Sequence, residues 1–318
     1  MLSGRCLPIL LESLVSPTLL INMKASVVIR SMRGPFLILT PVCVFLGMSI
    51  VIANRVNVDI YMLALVLLGA VLAHVSVNTL NEYLDFRSGL DLTTNKTRFS
   101  GGSGALPQNP EMAHAVLTVG SISLVATLLI GLFFFWKLGP GIIPIGVVGL
   151  MLIVTYTGWI NKHPFLCLIA PGIGFGILMV VGTQFVLQGE YSASSWLIAF
   201  VPFFLVNNLL LLNQYPDIQA DAGVGRNHFP IAYGTSASNS IYALFGLATI
   251  GLFAVGILSG YLPSLSIIAL LPMPLAIFSL TGAIKHGESI GSFPKYLGAN
   301  VAVAILTPIL LGVSIMIG

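Results

Sequence analysis

The sequence predicts an all-α polytopic membrane protein, a bundle of nine transmembrane helices with its N-terminus in the cytoplasm. Three observations predict it. Of 318 residues, 57% are hydrophobic and only 7% charged, with a mean hydropathy of +1.01. A soluble domain carries roughly a quarter charged residues, so a fold surrounded by water is excluded. The apolar residues also gather into nine continuous runs, each near the ~20 residues that cross a hydrocarbon core of about 30 Å; the strands of a membrane barrel would be alternating segments of about ten. Finally, the basic residues favour alternate loops, so one face of the bundle is positive.

The runs cover residues 36–53, 60–81, 113–136, 141–159, 165–187, 196–213, 241–260, 262–283 and 296–317. Upstream, the stretch 7–21 is apolar but interrupted by Pro8, Glu12 and Pro17, and no small-residue cleavage site follows it. Met23-Lys24 reads as the start of the protein proper, giving an extension over 1–23 and a single domain over 24–318. Arg5, Lys24, Arg30 and Arg33 precede the first run; Arg87, Lys96, Arg98, Lys162, Arg226, Lys285 and Lys295 follow in every second loop. Only Arg55 and Lys137 fall on the other side. The positive-inside rule therefore places the N-terminus in the cytoplasm and the C-terminus outside; the expected location is the cell (inner) membrane. The net charge of +3 reflects this asymmetry and gives no nucleic-acid-binding pattern. Cys6, Cys43 and Cys167 have no metal-site spacing, and a disulfide framework is not expected.

With so few charges, their positions carry information. Asp85 and Asp91 follow the second run; Asp217 and Asp221 follow the sixth. If the second helix continues past Asn81, then His74, Asn78, Asn81 and Asp85 step by four, three and four and share one stripe. Polar groups in a span face a cavity or a partner helix, and His74 and Asn78 serve equally well as hydrogen-bonding groups between helices. Asp91 lies past Gly89, in a loop folding back. Asn213, Asp217 and Asp221 recur at four-residue steps, with Pro216 kinking the entry. Glu82 belongs to neither group on sequence alone.

Carboxylates this close repel one another unless positive charge lies between them. Oxygen-only ligands suit a hard divalent cation, and Mg2+ shares its remaining positions with phosphate. Two such clusters, at the cytoplasmic ends of spans four apart, imply two similar helical halves facing one cavity. Lys96, Arg98, Lys162 and Arg226, with the glycine-rich run 101–104, supply the donors that a diphosphate needs. Without the flanking Lys96 and Arg98, that run would read as a flexible linker.

These motifs resemble the UbiA superfamily of membrane prenyltransferases. Asn81, Asp85 and Asp91 match its first Asn/Asp motif, with Glu82 where Asp is commoner. The six-residue interval between the two Asp residues, the Ser88-Gly89 pair, the run 99–107 and the run 213–221 resemble the branch acting on 1,4-dihydroxy-2-naphthoate. The resemblance implies nine spans and a Mg2+-dependent transfer of a polyprenyl group from polyprenyl diphosphate to an aromatic acceptor, at the cytoplasmic face of the lipid bilayer. It implies one ion at Asn81, Asp85 and Asp91 and a second at Asn213, Asp217 and Asp221. Tyr156 becomes a candidate for stabilising the allylic cation through its ring, or else an interfacial tyrosine; Arg33 becomes a candidate for holding an acceptor carboxylate, or else a positive-inside residue. After Asp221 the branch carries a basic pair and Thr-Leu, whereas this chain reads Gly225-Arg226-Asn227-His228-Phe229. The acceptor therefore stays open among dihydroxynaphthoate, 4-hydroxybenzoate, homogentisate and a lipid alcohol. A secondary transporter also places polar groups inside a bundle, but near the midplane.

Overall fold

A computed structural model describes residues 17–318, with side chains from Lys24 onward. Most of the 1–23 extension thus lies outside the described residues. Helix α1 (Pro17–Ser31) ends where Arg33 adopts a left-handed conformation, φ 54, and turns the chain into α2 (Gly34–Ala53). Asp59 caps α3 (Ile60–Arg87), its Oδ1 accepting from the backbone N–H of Tyr61 at 2.9 Å and of Met62 at 3.2 Å. Gly89, at φ 81, reverses the chain into the single turn α4 (Leu90–Thr93); this left-handed position is one that glycine takes without steric cost. Next come α5 (Ala105–Gln108), α6 (Pro110–Leu138), α7 (Pro140–Thr155) and α8 (Pro164–Gln188). Helix α9 (Ala193–Asn213) breaks at a 3-10 turn, Tyr215–Asp217, before α10 (Ile218–Gly223). The chain closes with α11 (Phe229–Leu258), α12 (Ser264–Ser292) and α13 (Pro294–Ile317).

Every described element is helical. Eight helices, counting α9 and α10 as one, are long and apolar enough to cross a membrane. The remaining expected span coincides with α7, which is apolar but shorter than the others. Two boundaries differ from expectation. Helix α11 starts at Phe229 rather than near residue 241: Ser, Thr and Asn residues lower the hydropathy of 235–240 without preventing helix formation, and Gly234 (φ 77, ψ 169) kinks the backbone just before them. Helix α12 opens as 3-10 over Ser264–Leu270 and becomes α only from Met273, because Pro272 and Pro274 withhold backbone donors.

Helix α9 sits at the centre, packed by α8, α11 and α13, while α3 lies along α6. The α8–α9 contact is unusually close. Pro171 interrupts α8, the side chain Oδ1 of Asn207 accepts from the Gly172 N–H at 2.6 Å, and a π-helical stretch follows over Ile173–Val181. Distortions to π geometry often accompany functional sites, and here Phe175, Leu178 and Met179 from the stretch line the central cavity. A Cβ at Gly176 would come within 2.5 Å of the Phe203 nitrogen. Gly176→Val must therefore separate the two helices. It should cost at least about 1–3 kcal/mol, seen as a lower thermal midpoint in detergent; a wild-type midpoint would contradict this packing.

Candidate active site

A cavity of about 640 Å3 runs through the bundle. His74, Asn78, Asn81 and Asp85 all line it, so α3 does present the four-three-four stripe to one space. His74 and Asn78 also bond between elements: His74 Nδ1 lies 2.8 Å from Thr40 Oγ1, and Asn78 Nδ2 donates to the Met32 carbonyl at 2.9 Å. Asn81 accepts from Arg33 Nη2 at 2.9 Å and donates to Thr157 Oγ1 at 3.1 Å. The reversal at Gly89 brings Asp91 to the same wall. From the other half come Asn213, Asp217 and Asp221. Because the helix breaks at Gln214 and resumes at Ile218, these three follow a kinked backbone rather than one straight face.

The two halves meet at Arg226. Its Nη2 pairs with Asp85 Oδ1 and its Nη1 with Asp221 Oδ1 at 2.9 Å. His228 Nε2 lies 3.0 Å from the other Asp221 oxygen. A guanidinium thus supplies the positive charge that proximity of these two carboxylates requires. Other oxygens have no such partner. Asp91 Oδ2, Asn213 Oδ1, Asp217 Oδ1 and Asn161 Oδ1 are buried without hydrogen bonds, a costly condition for polar groups. Burial, followed by repulsion from Glu82 and Asp85, pushes the Asp91 carboxyl up to about 7. Among the described residues no three His, Cys, Asp or Glu side chains converge into a metal cluster. The unpartnered donors are instead a mixed carboxylate and amide oxygen set, which is the chemistry a hard cation takes.

The glycine-rich loop closes over this end. Gly101 donates its N–H to Asp217 Oδ2 at 3.0 Å. A Cβ at Gly102 would lie 2.8 Å from Asp91 Oδ1, so only glycine lets the loop approach that carboxylate. Away from the polar end the lining turns apolar and continues to Val66, Phe134, Ile142 and Val186. Along α3, Asp85 and Val66 are about 28 Å apart by helical rise. The space is a long apolar shaft with carboxylates and cations at one end.

The family comparison agrees with this architecture: the pattern of the UbiA prenyltransferase family matches residues 40–312. The chain belongs to the UbiA prenyltransferase family. A 1,4-dihydroxy-2-naphthoate octaprenyltransferase from Bacillus subtilis (strain 168) is 26% identical over 238 residues, 73% of this chain and 74% of that protein. A UbiA homolog from Aeropyrum pernix K1 superposes with a TM-score of 0.64 at 17% identity, covering 89% of this chain and 98% of the other. A UbiA homolog from Archaeoglobus fulgidus bound to GPP and Mg2+ gives 0.63 at 15% identity, covering 91% and 99%. This UbiA protein is therefore a multi-pass membrane enzyme, a prenyltransferase, and the transporter reading is set aside.

Within the UbiA fold the basic candidates separate. Arg33 and Arg226 line the cavity; Lys96 and Arg98 line an adjoining hollow of about 340 Å3, which shares Arg33, Phe36 and Phe99 with it. Lys162 is exposed and lines neither space; its neighbour Asn161 faces the cavity instead. The 3-10 turn Ile160–Lys162 sets that choice, and nothing in the local sequence announces it. Tyr156 follows the last residue of α7, lines the cavity and packs near Ile160, Cys167 and Ala170. Three residues outside the sequence-derived site also belong to this region: Asn161, His228 and Glu82. His228 sits where the family branch carries other residues; Glu82 carried a signal as a variant of the motif.

Proposed function

We propose that the protein transfers a polyprenyl group from polyprenyl diphosphate to the ring of 1,4-dihydroxy-2-naphthoate, in a Mg2+-dependent reaction at the cytoplasmic face of the membrane. One observation carries this reading: unpartnered carboxylate and amide oxygens from both halves converge at the polar end of a cavity that is otherwise apolar. Asn81, Asp85 and Asp91 would hold one ion and Asn213, Asp217 and Asp221 the second. Bound there, Mg2+ would neutralise diphosphate charge and so make it a better leaving group.

The chain's own groups do the rest. Arg226 and Arg33 place positive charge where the leaving diphosphate gains negative charge, with Lys96 and Arg98 at the adjoining hollow. The backbone of the 101–104 loop closes the end against water. The shaft takes the prenyl tail, so the tail stays in an apolar environment while its head reacts. Tyr156 offers its ring face to the allylic cation formed as the C1–O bond breaks. The electron-rich acceptor ring then attacks the cation at carbon. At a carboxyl-bearing carbon, the carboxylate leaves as carbon dioxide with its bonding pair restoring the aromatic ring. The identity of the Bacillus subtilis relative favours dihydroxynaphthoate.

The test uses purified protein in detergent with Mg2+, labelled polyprenyl diphosphate and four separate acceptors: dihydroxynaphthoate, 4-hydroxybenzoate, homogentisate and a lipid alcohol. Prenylated product is expected with the first; turnover confined to another acceptor overturns the assignment. In the same assay Tyr156→Phe should keep the rate within about threefold and Tyr156→Ala should lose about tenfold, the range of a desolvated cation–π contact. Equal rates for the two variants would remove Tyr156 from the mechanism.

A further inference from the structure

Glu82 occupies the position next to Asn81 in the first motif, yet its carboxylate points elsewhere. Asn81 and Asp85 line the cavity and Glu82 does not. Its side chain is fully buried, at 0% exposure, and its hydrogen-bonding partners, Arg33 and Ser103, lie outside α3. Arg33 Nη2 lies 3.4 Å from Oε2. The Ser103 N–H is 3.2 Å from Oε1 and 3.1 Å from Oε2, and the Ser103 hydroxyl donates to Oε1.

We propose that Glu82 is a positioning residue for prenyl diphosphate, fixing the glycine-rich loop and Arg33 against α3 so that both face the cavity. This rests on the reading that the diphosphate binds at the polar end. The carboxylate acts through two partners at once. On one side it holds Ser103, two residues after Gly101, whose N–H meets Asp217; the loop is thereby tied to both helical halves. On the other side it holds the guanidinium of Arg33, whose second contact is Asn81. Arg33 reaches inward from a left-handed backbone conformation, φ 54, which is sterically unfavourable for a non-glycine residue. Such conformations persist where surrounding contacts over-determine them, and the Glu82 and Asn81 contacts do so here. Side-chain length matters as well. Aspartate is shorter by one methylene and would not span from α3 to Ser103 and Arg33 together, which accounts for glutamate at this position.

The experiment measures binding of geranyl diphosphate with Mg2+ to detergent-solubilised protein by calorimetry, so it needs no acceptor. The variants are Glu82→Gln, Glu82→Asp, Ser103→Ala and the Glu82→Gln/Ser103→Ala double. Each also gives a Mg2+ half-saturation and a thermal midpoint. Loss of a charge-assisted hydrogen bond should weaken diphosphate binding about tenfold in both Glu82 variants. Aspartate should fail to rescue, and Mg2+ half-saturation should stay within about twofold of wild type. Ser103→Ala should shift binding in the same direction, and the double variant should bind no more weakly than Glu82→Gln, because the two residues share one interaction. A shift in Mg2+ half-saturation as large as the shift in diphosphate binding would make Glu82 a metal ligand and overturn the proposal. So would lower thermal midpoints with unchanged diphosphate binding. Asp85→Ala is titrated alongside: wild-type binding there overturns the diphosphate site itself, and this proposal with it, independently of what the Glu82 variants do.

Discussion

Asp85→Ala protein is expected to retain less than about one hundredth of the wild-type prenyl-transfer rate, the loss typical of removing one preorganised charge-stabilising group. Asp85→Asn should be equally impaired, because an amide keeps the shape but loses the charge that Arg226 and a cation both need. Both variants should still extract from the membrane as folded protein. Asp85 lies at the cytoplasm-facing end of α3 in the orientation proposed above, away from the packed apolar cluster around α9. Chelation of Mg2+ should abolish wild-type activity, and returning Mg2+ should restore the wild type but neither variant. Near-normal turnover by Asp85→Ala would show that the carboxylates of α3 do not serve the diphosphate. Asp217→Ala should fail similarly, with the added loss of the contact that holds Gly101.

Much of this site was legible because helical periodicity projects directly into space. The stripe from His74 to Asp85 lies on an unbroken helix, so counting by three and four places it correctly. The second cluster remained legible although the helix breaks at Gln214, since the 3-10 turn at Tyr215–Asp217 returns the chain to helix within one turn. What was not legible depends on contacts distant in sequence or on short irregular turns. Glu82 acts on Ser103, twenty-one residues away, and Arg226 joins Asp85 across 141 positions; no local pattern encodes either. Asn161 and Lys162 are neighbours, and a single 3-10 turn decides which one meets the cavity. The early start of α11 was hidden because hydropathy falls over residues whose backbone is nonetheless helical.

The second large effect concerns chain length. Ile142, Gly146, Gly149 and Ile153 of α7, and Tyr156 just past its end, line the cavity at intervals of three or four residues. Gly149 lies about 10 Å from Tyr156 by helical rise, and a Cβ there would meet only Leu178 Cδ1, at 3.7 Å. Gly149→Phe should therefore fold normally while filling the shaft part-way along. With a series of prenyl diphosphates, the variant is expected to use the shortest at a rate within about threefold of wild type and to lose the longest by at least about tenfold, each CH2 group denied burial costing up to about 0.8 kcal/mol. An unchanged chain-length profile would mean that the tail does not occupy this shaft. The expected result instead separates the tail site from the reacting centre, because Tyr156 and the carboxylates are left untouched.

The bridge from Asp85 through Arg226 to Asp221 bears on how the enzyme waits between turnovers. With this counter-charge between them, Asp85 and Asp221 are drawn together by the chain's own guanidinium rather than pushed apart. One guanidinium thus ties a residue of α3 to a residue of α10 and fixes the spacing of the two half-sites. Energy released when substrate docks is then not consumed in gathering those halves and remains available for weakening the bond to be broken.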